Sequence, residues 1–245
     1  MFRFLLSRRW VLFALFVVVL GALCWRLGIW QFDRLEERRT ENAIISRNLD
    51  APALPAARVM TPDRPLPEQR QWRRVSVTGA YDVADETLVR YQTRDGQPGV
   101  VVLTPLRSTQ GDSVIVDRGW MAVTNDPTAP VQPPPPPSGE VTVTGWAVPD
   151  QDGEPDEFTP IDGEVRLISS RGFTRITPDP LLQGYVNAQR ERPAPERSLV
   201  REGPPELNSG PHFFYGLQWW FFAALAVGGF VYFAYAESRD RRRRG

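Results

Sequence analysis

The chain is poor in the residues from which most catalytic and metal sites are built. Its 245 residues include one histidine, His212, one cysteine, Cys24, and no lysine. A single cysteine excludes an intramolecular disulfide. The sequence shows no Ser-His-Asp or Cys-His set, no zinc site made of several Cys and His ligands, and no glycine pattern for binding nucleotides. We therefore predict that the protein is not an enzyme.

The formal charge of zero hides a strong segregation of charge along the chain. Residues 1–29 carry four arginines and no acid, and residues 237–245 carry five arginines against Glu237 and Asp240. The stretch between them therefore sums to −7, because 0 − 4 − 3 = −7. A folded domain that binds nucleic acid needs a basic face. Basic ends around an acidic middle therefore predict no nucleic-acid partner.

Two long apolar runs predict two membrane spans. Residues 10–30 form the first, which is interrupted near its end by Arg26, a side chain that can reach the interface. Residues 212–236 form the second, and both are close to the roughly 20 residues that a helix needs to cross a bilayer. A cleaved signal peptide is the alternative for the first run, but the sequence "GALCWRLGIW" offers no A-x-A site.

The arginines predict the orientation of both spans. Arg3, Arg8 and Arg9 precede the first span, and an Arg-rich tail at 237–245 follows the second, so residues 1–9 and this tail are expected in the cytoplasm. Residues 31–211 are then outside it. Small residues on the spans, including Gly21, Gly28 and Gly228, are typical of helices that pack closely, although an Ala/Gly-rich chain also produces such spacing by chance.

The sequence between the spans predicts a β-rich segment. A helix is expected to continue out of the membrane to about Asn48, followed by an extended, proline-rich arm at 50–67. Alternating apolar residues and turn residues then predict short strands: 74–81, 87–91, 99–106, 113–120, 140–148, 164–169 and 184–188. The predicted fold is thus a membrane protein in which two transmembrane helices flank a mainly antiparallel, barrel-like α+β domain.

Three details of this domain are also predicted. Residues 126–140 form a polyproline spacer without a core role, and residues 149–164 form an acidic, solvated loop. The strand VSVTGAY nearly recurs as VTVTGWA 66 residues later, which suggests equivalent places in a small barrel. Asp117 and Arg118, adjacent in a predicted strand, are candidates for a partly buried ion pair.

His212 is the remaining candidate for chemistry. It begins the second span, and on a helix Tyr215, Trp219 and Phe222 would share its face. An imidazole with aromatic side chains in line behind it could hold a haem iron and flank the flat macrocycle. The alternative is simple anchoring, because aromatic belts are common at membrane interfaces.

Six short motifs follow one another along the chain. The stretch "LGIWQFDRLEER" lies at 27–38 and "HFFYGLQWWFFA" at 212–223, with the strand motifs "RVSVTGAYD", "GVVVLTPLR", "SVIVDRGWM" and "GEVTVTGWA" between them. Together they resemble the Surfeit locus protein 1 / Shy family of cytochrome c oxidase assembly factors: the first is similar to the family's L-G-x-W-Q-x-x-R, the last to its H-x-x-Y-A-x-Q-W, and the strand motifs come in the family's order. Pro211, where the family often has Asn, and Gly216, where it often has Ala, depart from the pattern.

The resemblance implies a function, a cofactor and partners. It implies a chaperone of respiratory-chain assembly in a bacterial cell membrane, which assists the maturation of cytochrome c oxidase subunit I or the insertion of haem a into it. His212 matches the proposed ligand of the haem a iron, with Tyr215 and Trp219 beside the macrocycle. Subunit I, haem a synthase and the lipid bilayer are the implied partners. A scaffold that stabilises an oxidase intermediate without binding haem is the alternative.

Overall fold

The computed structural model describes residues 3–124 and 131–244, in which two long helices stand at the ends of the chain. The helices are α1 (Arg8–Asp50), α2 (Ala56–Val59), α3 (Pro155–Phe158) and α4 (His212–Arg244). Short 3-10 helices lie at Arg3–Leu6, Glu68–Arg70, Val83–Asp85 and Ser170–Phe173. By length and composition, α1 and α4 are each able to cross a membrane. As predicted, α1 runs without a break beyond the apolar segment.

The strands match the predicted runs closely. They are β1 (Leu54–Pro55), β2 (Arg73–Tyr81), β3 (Thr87–Val89), β4 (Gly99–Ser108), β5 (Ser113–Ala122), β6 (Val141–Val148), β7 (Glu164–Val165) and β8 (Leu181–Arg192). The run predicted at 164–169 keeps only two residues of strand, because residues 170–173 turn into a 3-10 helix. The predicted extended arm at 50–67 contributes β1 and α2.

The sheet is mixed: antiparallel pairs predominate, as expected, but parallel pairs are also present. Its order is β1-β2-β6-β8-β5-β4-β3-β7, with a further pairing between β2 and β4. The pairs β1–β2, β3–β7 and β5–β8 are parallel. The sequence pattern of one strand does not specify its neighbour, and β8 comes to lie beside β5 only after a long connection. The barrel-like closure stays a prediction.

The two near-identical strands are direct partners in the sheet. β2 and β6 pair antiparallel, with Val75 opposite Gly145, Val77 opposite Val143 and Gly79 opposite Val141. Thr78 and Thr142 are also opposite each other, and their hydroxyl oxygens are 2.9 Å apart. The repeat therefore supplies matching side chains across one ladder, which stabilises the pair.

The described residues form two compact units: residues 3–43 with 207–244, and residues 44–206. In the second unit, β5 is buried on both faces. Val114 and Val116 contact a cluster that includes Met60 and Leu182, whereas Ile115 contacts a cluster that includes Phe173. Alternate residues of a strand point to opposite faces, so the uninterrupted apolar run of β5 indicates a strand covered on both sides.

The two unusual stretches are more ordered than the sequence suggests. Of the predicted spacer, residues 126–130 lie outside the described residues, but the Pro134 carbonyl accepts a hydrogen bond of 2.9 Å from Arg118 Nη2. In the acidic stretch, Asp150 accepts bonds from the backbone and hydroxyl of Ser170, at 2.6 and 2.7 Å, and Phe158 is buried. Both stretches therefore contact the folded domain instead of serving only as solvated connections.

Arg118 lies in a buried ionic cluster that does not include Asp117, so the expected ion pair between these neighbours is wrong. Because side chains alternate along β5, the two point to opposite faces. Arg118, 1% exposed, contacts Glu86 at 2.8 Å and lies 3.9 Å from Glu191. Tyr81 donates a 2.6 Å hydrogen bond to Glu191, which Arg201 also contacts. Burial and the Glu191 carboxylate raise the pKa of Tyr81, which therefore stays a donor.

Asp117 faces the other side of the sheet as a buried carboxyl with uncharged hydrogen-bond partners. It accepts hydrogen bonds from the Gly119 amide at 2.9 Å and from Asn187 Nδ2 at 3.2 Å. Burial raises its pKa from 3.8 to about 7; nearby Glu202 also raises it, whereas the Gly119 amide, Arg94 and Arg201 lower it. The folded protein therefore holds a proton here that the unfolded chain releases at lower pH.

We expect this proton to make the stability of the domain depend on pH. A carboxyl whose pKa is raised in the folded state contributes its full stabilisation when the pH is below its pKa in the unfolded chain. That contribution is lost as the pH rises from about 4 to about 7. The full change is roughly 4 kcal/mol, at about 1.4 kcal/mol per pKa unit. Thermal unfolding of the detergent-purified protein across this range should show the decline. Asp117→Asn should flatten it, whereas Asp63→Asn, at an exposed carboxyl, should leave the slope unchanged.

Candidate functional site

His212 is the first residue of α4, and the residue before it favours the start of a helix. Pro211 lacks an N–H and has a fixed φ, which suits the start of a helix. Its carbonyl accepts a hydrogen bond of 3.2 Å from the Tyr215 amide and so closes the first turn. The imidazole is half-buried. It is placed by the end of the helix and not by a flexible loop.

The imidazole is held by Gln31, a residue of α1 that is 181 positions away in sequence. His212 Nδ1 lies 2.8 Å from Gln31 Oε1. An amide oxygen only accepts hydrogen bonds, so the contact favours the neutral tautomer with the proton on Nδ1 and the lone pair on Nε2. The contact therefore selects the tautomer and the ring orientation in which Nε2 is the ligand atom. Metal-bound histidines are commonly fixed by such a bond to their other nitrogen.

Gly210 lies beside the Nε2 edge of the ring and places no side chain against it. Its φ is +64°, a conformation that glycine adopts at little cost. A Cβ at this position would lie 3.2 Å from His212 Cδ2 and 3.3 Å from Nε2. Any side chain here would therefore crowd the free nitrogen. The absence of a side chain and the tautomer both suit a ligand that approaches Nε2.

Aromatic packing between α1 and α4 fixes the position of Gln31. The next residue, Phe32, contacts Phe213 and Trp220, with ring centroids 6.1 and 4.8 Å apart. Trp220 also stacks on Trp25 at 5.1 Å and 17°. A Cβ at Gly28 would lie 2.1 Å from the Trp220 Nε1 atom, so only glycine admits this indole.

The small residues predicted to pack the spans do not all do so. Gly28 meets Trp220, whereas an added Cβ at Gly21 or Gly228 would have nothing within 4 Å. Gly216, which departs from the family pattern, lies against the Phe32 ring: a Cβ there would be 2.8 Å from Phe32 Cε2. Large aromatic side chains that fit against glycines therefore hold α1 and α4 together at the level of His212.

We expect Gly28→Ala to destabilise this contact, whereas Gly21→Ala should not. The new methyl group at Gly28 would force Trp220 out of place, and overpacking of this kind costs about 1–3 kcal/mol. At Gly21 there is open space, and alanine favours a helix over glycine. Near-ultraviolet circular dichroism of the Trp25–Trp220 stack, with thermal unfolding, measures both variants. Equal behaviour of the two would contradict this packing.

Tyr215 and Trp219 follow His212 by one and two turns of α4. Tyr215 is 48% exposed and Trp219 is half-buried, with its ring 6.0 Å from that of Phe222. At i+3 and i+7, both lie on the side of the helix that carries His212, as the sequence predicts. Together the three side chains form an open strip instead of a closed pocket. A flat ligand bound to Nε2 would lie along this strip.

Trp30 and Arg34 stand next to Gln31 on α1. The Arg34 guanidinium lies 6.0 Å from the centroid of the Trp30 ring and pairs with Glu37 at 2.7 Å. Trp30 and Arg34, four residues apart, therefore share a face of α1. Both are largely exposed, so Arg34 is not part of the contact between Gln31 and His212.

His212 is a single candidate ligand and not one of a set. Within residues 3–124 and 131–244, no three His, Cys, Asp or Glu side chains are grouped to hold a metal ion. A haem iron needs only one axial ligand from the protein, because the macrocycle supplies the other four. The donor set therefore fits a haem better than a free metal ion.

Sequence reasoning missed Gln31 as the partner of His212. The signal available was its place in "LGIWQFDRLEER", as a polar side chain at the outer end of a predicted span. Phe32, Trp25 and Trp220 were also missed, because an aromatic residue near a membrane interface is usually explained by the interface alone. Their common role becomes visible only when both helices are seen together.

The family model and the relatives that match this chain agree on one protein family. The SURF1 family model matches residues 18–224. An uncharacterised SURF1-like protein of Mycobacterium bovis is 34% identical over 254 residues, which cover 98% of this chain and 89% of that protein. The cytochrome oxidase assembly protein SHY1 of Saccharomyces cerevisiae is 30% identical over 97 residues, which cover 39% of this chain and 24% of that protein. The match includes both Gln31 and His212, and the chain belongs to the SURF1 family.

Proposed function

We propose that this protein is a membrane-anchored, non-enzymatic assembly factor for cytochrome c oxidase that binds haem a at His212 and assists its insertion into subunit I. The oxidase role follows from membership of the SURF1 family and from similarity to the yeast protein named for oxidase assembly. The haem role is supported by the contact between His212 and Gln31. Subunit I and haem a synthase are the proposed partners.

The bond from Nδ1 to Gln31 is the observation that carries the haem proposal. An anchoring histidine at a membrane surface needs no fixed tautomer. Here an aromatic contact between α1 and α4 positions Gln31, Gln31 orients the imidazole, and Gly210 places no side chain against Nε2. Neutral imidazole supplies the electron pair that a haem iron requires.

Tyr215 and Trp219 would contact the macrocycle of the bound group. Trp219 offers a ring face to stack on, and Tyr215 adds a hydroxyl that can reach a polar substituent. Because the strip is open, a ligand bound there would remain accessible to another protein. Accessibility suits a factor that passes haem to subunit I and does not retain it.

We also propose that both termini lie in the cytoplasm of a bacterial cell and that the β-rich unit lies outside its plasma membrane. The arginines at both ends of the chain support this orientation. A reporter active only in the cytoplasm should work when fused after Gly245 and fail when inserted near Gly111. The opposite result would overturn the orientation.

The visible spectrum of the detergent-purified protein tests the proposal directly. Cells that make haem a should yield protein with a Soret band, at about one haem per chain as set by one His ligand. A colourless protein that still co-purifies with subunit I would instead support a scaffold that touches no cofactor. A colourless protein without subunit I would contradict both.

We expect Gln31→Leu to weaken haem binding more than Gln31→Glu does. Leucine cannot accept the Nδ1 proton, whereas glutamate retains an acceptor at the same place. Loss of a partner that orients a metal ligand typically costs 10- to 100-fold in affinity. Titration of each apoprotein with haem, followed at the Soret band, measures the difference. Equal loss in both variants would show that Gln31 acts on packing and not on the imidazole.

A further inference from the structure

A cavity lies between α1 and α4 at the end of the helix pair that is remote from His212. It encloses about 430 Å³ and is lined by residues of the first turns of α1 and the last turns of α4. Asp240 is 28 residues beyond His212, which places the cavity roughly 40 Å away along α4. It is therefore separate from the proposed haem site.

The inner wall of this cavity is aromatic. Trp10, Phe13 and Phe233 line it, and Phe13 lies 5.9 Å from Trp10 and 6.3 Å from Phe233, each pair edge to face. Phe230 supports the first two rings from behind, at 5.7 and 5.4 Å. The faces of such rings attract cations, most strongly where water is excluded.

The rim carries both signs of charge. Arg9 stands on the α1 side, and Glu237 and Asp240 stand on the α4 side. Arg241 contacts Glu237 at 2.9 Å, one turn along α4. A ligand that matches this rim has an anionic group for Arg9 and a cationic group for the two carboxylates. The aromatic wall beneath the carboxylates favours the same cationic group.

The position along the helices identifies the layer of the membrane that this cavity would face. Trp10 is the first residue of the predicted first span, and Ala236 is the last uncharged residue of the second. The apolar parts of both helices therefore end at the cavity. In a bilayer this is the level of lipid headgroups, where tryptophan and arginine are enriched.

We propose that this cavity binds the headgroup of a phospholipid with a primary ammonium, of the phosphatidylethanolamine type. The phosphate would contact Arg9, and the ammonium would lie over the rings between Glu237 and Asp240. A primary ammonium has three N–H donors for the carboxylates, whereas choline has none. The site rests on the proposed membrane insertion of α1 and α4 but not on the binding of haem.

The arginine-rich tail beside the cavity would act differently. Arg239 and the arginines after it attract any anionic lipid through charge alone. Phosphatidylglycerol has no cation for Glu237 or Asp240. Preference for the ethanolamine lipid over both the choline and the glycerol lipid is therefore the property that distinguishes the cavity from the tail.

The test compares lipids retained by the full-length protein after reconstitution in bilayers with equal parts of the ethanolamine, choline and glycerol phospholipids. Retained lipids are quantified after mild detergent extraction. We expect the wild type to be enriched in the ethanolamine lipid, and Glu237→Gln with Asp240→Asn to lose the enrichment by about tenfold, as loss of a charge-assisted hydrogen bond implies. Arg239→Gln, outside the cavity lining, should lower the glycerol lipid and keep the ethanolamine preference.

Two further readouts separate the ways in which this test can fail. A short-chain ethanolamine lipid should raise the thermal unfolding midpoint of the wild type but not that of the double variant. Alkaline carbonate extraction shows whether the protein is inserted in the membrane. Release of the protein by this treatment would contradict membrane insertion itself. Membrane-inserted protein that retains the three lipids in the bulk ratio would overturn the headgroup site alone.

Discussion

His212→Ala is expected to purify in normal amount, to remain in the membrane and to lose the Soret band of haem a. Alanine supplies no electron pair to the iron, and no other histidine exists in the chain. The loss should exceed the roughly 10- to 100-fold weakening expected when only the orienting partner Gln31 is replaced. Trp219→Ala should weaken binding less than His212→Ala does, because its ring would contact the macrocycle and not the iron.

Gln218→Ala is the matched control for this variant. Gln218 is a polar residue of the same helix, six residues beyond His212, and it is exposed. At i+6 it lies far around the helix from His212 and its open strip. Its replacement should leave the spectrum unchanged. A full Soret band at an unchanged wavelength in His212→Ala would show that His212 only anchors the helix, and would favour the scaffold.

Arg118→Met is expected to lower the stability of the β-rich unit by about 3–5 kcal/mol, the usual cost of breaking a buried ion pair. The guanidinium is 1% exposed and lies between Glu86 and Glu191. Methionine would fill most of the space but leave both carboxylates without this cation. For a domain of this size the thermal midpoint should fall by roughly 10 °C.

Arg107→Met provides the matched comparison. Arg107 contacts Asp82 at 2.5 Å, but its side chain is 48% exposed, and such surface pairs contribute about 0–1 kcal/mol. Addition of Glu86→Gln to Arg118→Met should recover part of the loss, because one uncompensated charge is removed. If Arg118→Met and Arg107→Met have equal midpoints, the cluster does not stabilise the fold. The haem spectrum of folded Arg118→Met should match that of the wild type.

The strands were predictable because their signals are local. β2, β4, β5 and β6 each combine alternating or continuous apolar residues with turn residues at both ends. The parallel neighbour of β5 was not predictable, since no residue of β5 specifies that β8 will lie beside it. The ion pair expected between Asp117 and Arg118 failed for a simpler reason: adjacent residues of a strand point to opposite faces.

The candidate site was likewise predictable only where its sequence signals are local. The place of His212 at the start of a helix, with Tyr215 and Trp219 following it, follows from helical spacing and a proline, both of which are visible in the sequence. The identity of its partner could not be predicted in this way, because Gln31 and His212 are 181 residues apart. A contact of this kind depends on the pairing of two helices, which local sequence does not encode.

The separation between Gln31 and His212 also determines when, during synthesis of the chain, their contact can form. Gln31 leaves the ribosome well before His212, which is made 181 residues later. The ring that their contact closes spans most of the chain, and such long-range contacts form late because loop closure costs entropy. A chain that stops before residue 212 therefore lacks the imidazole and its contact with Gln31. Under the haem role proposed above, such truncated or stalled translation products would not capture haem.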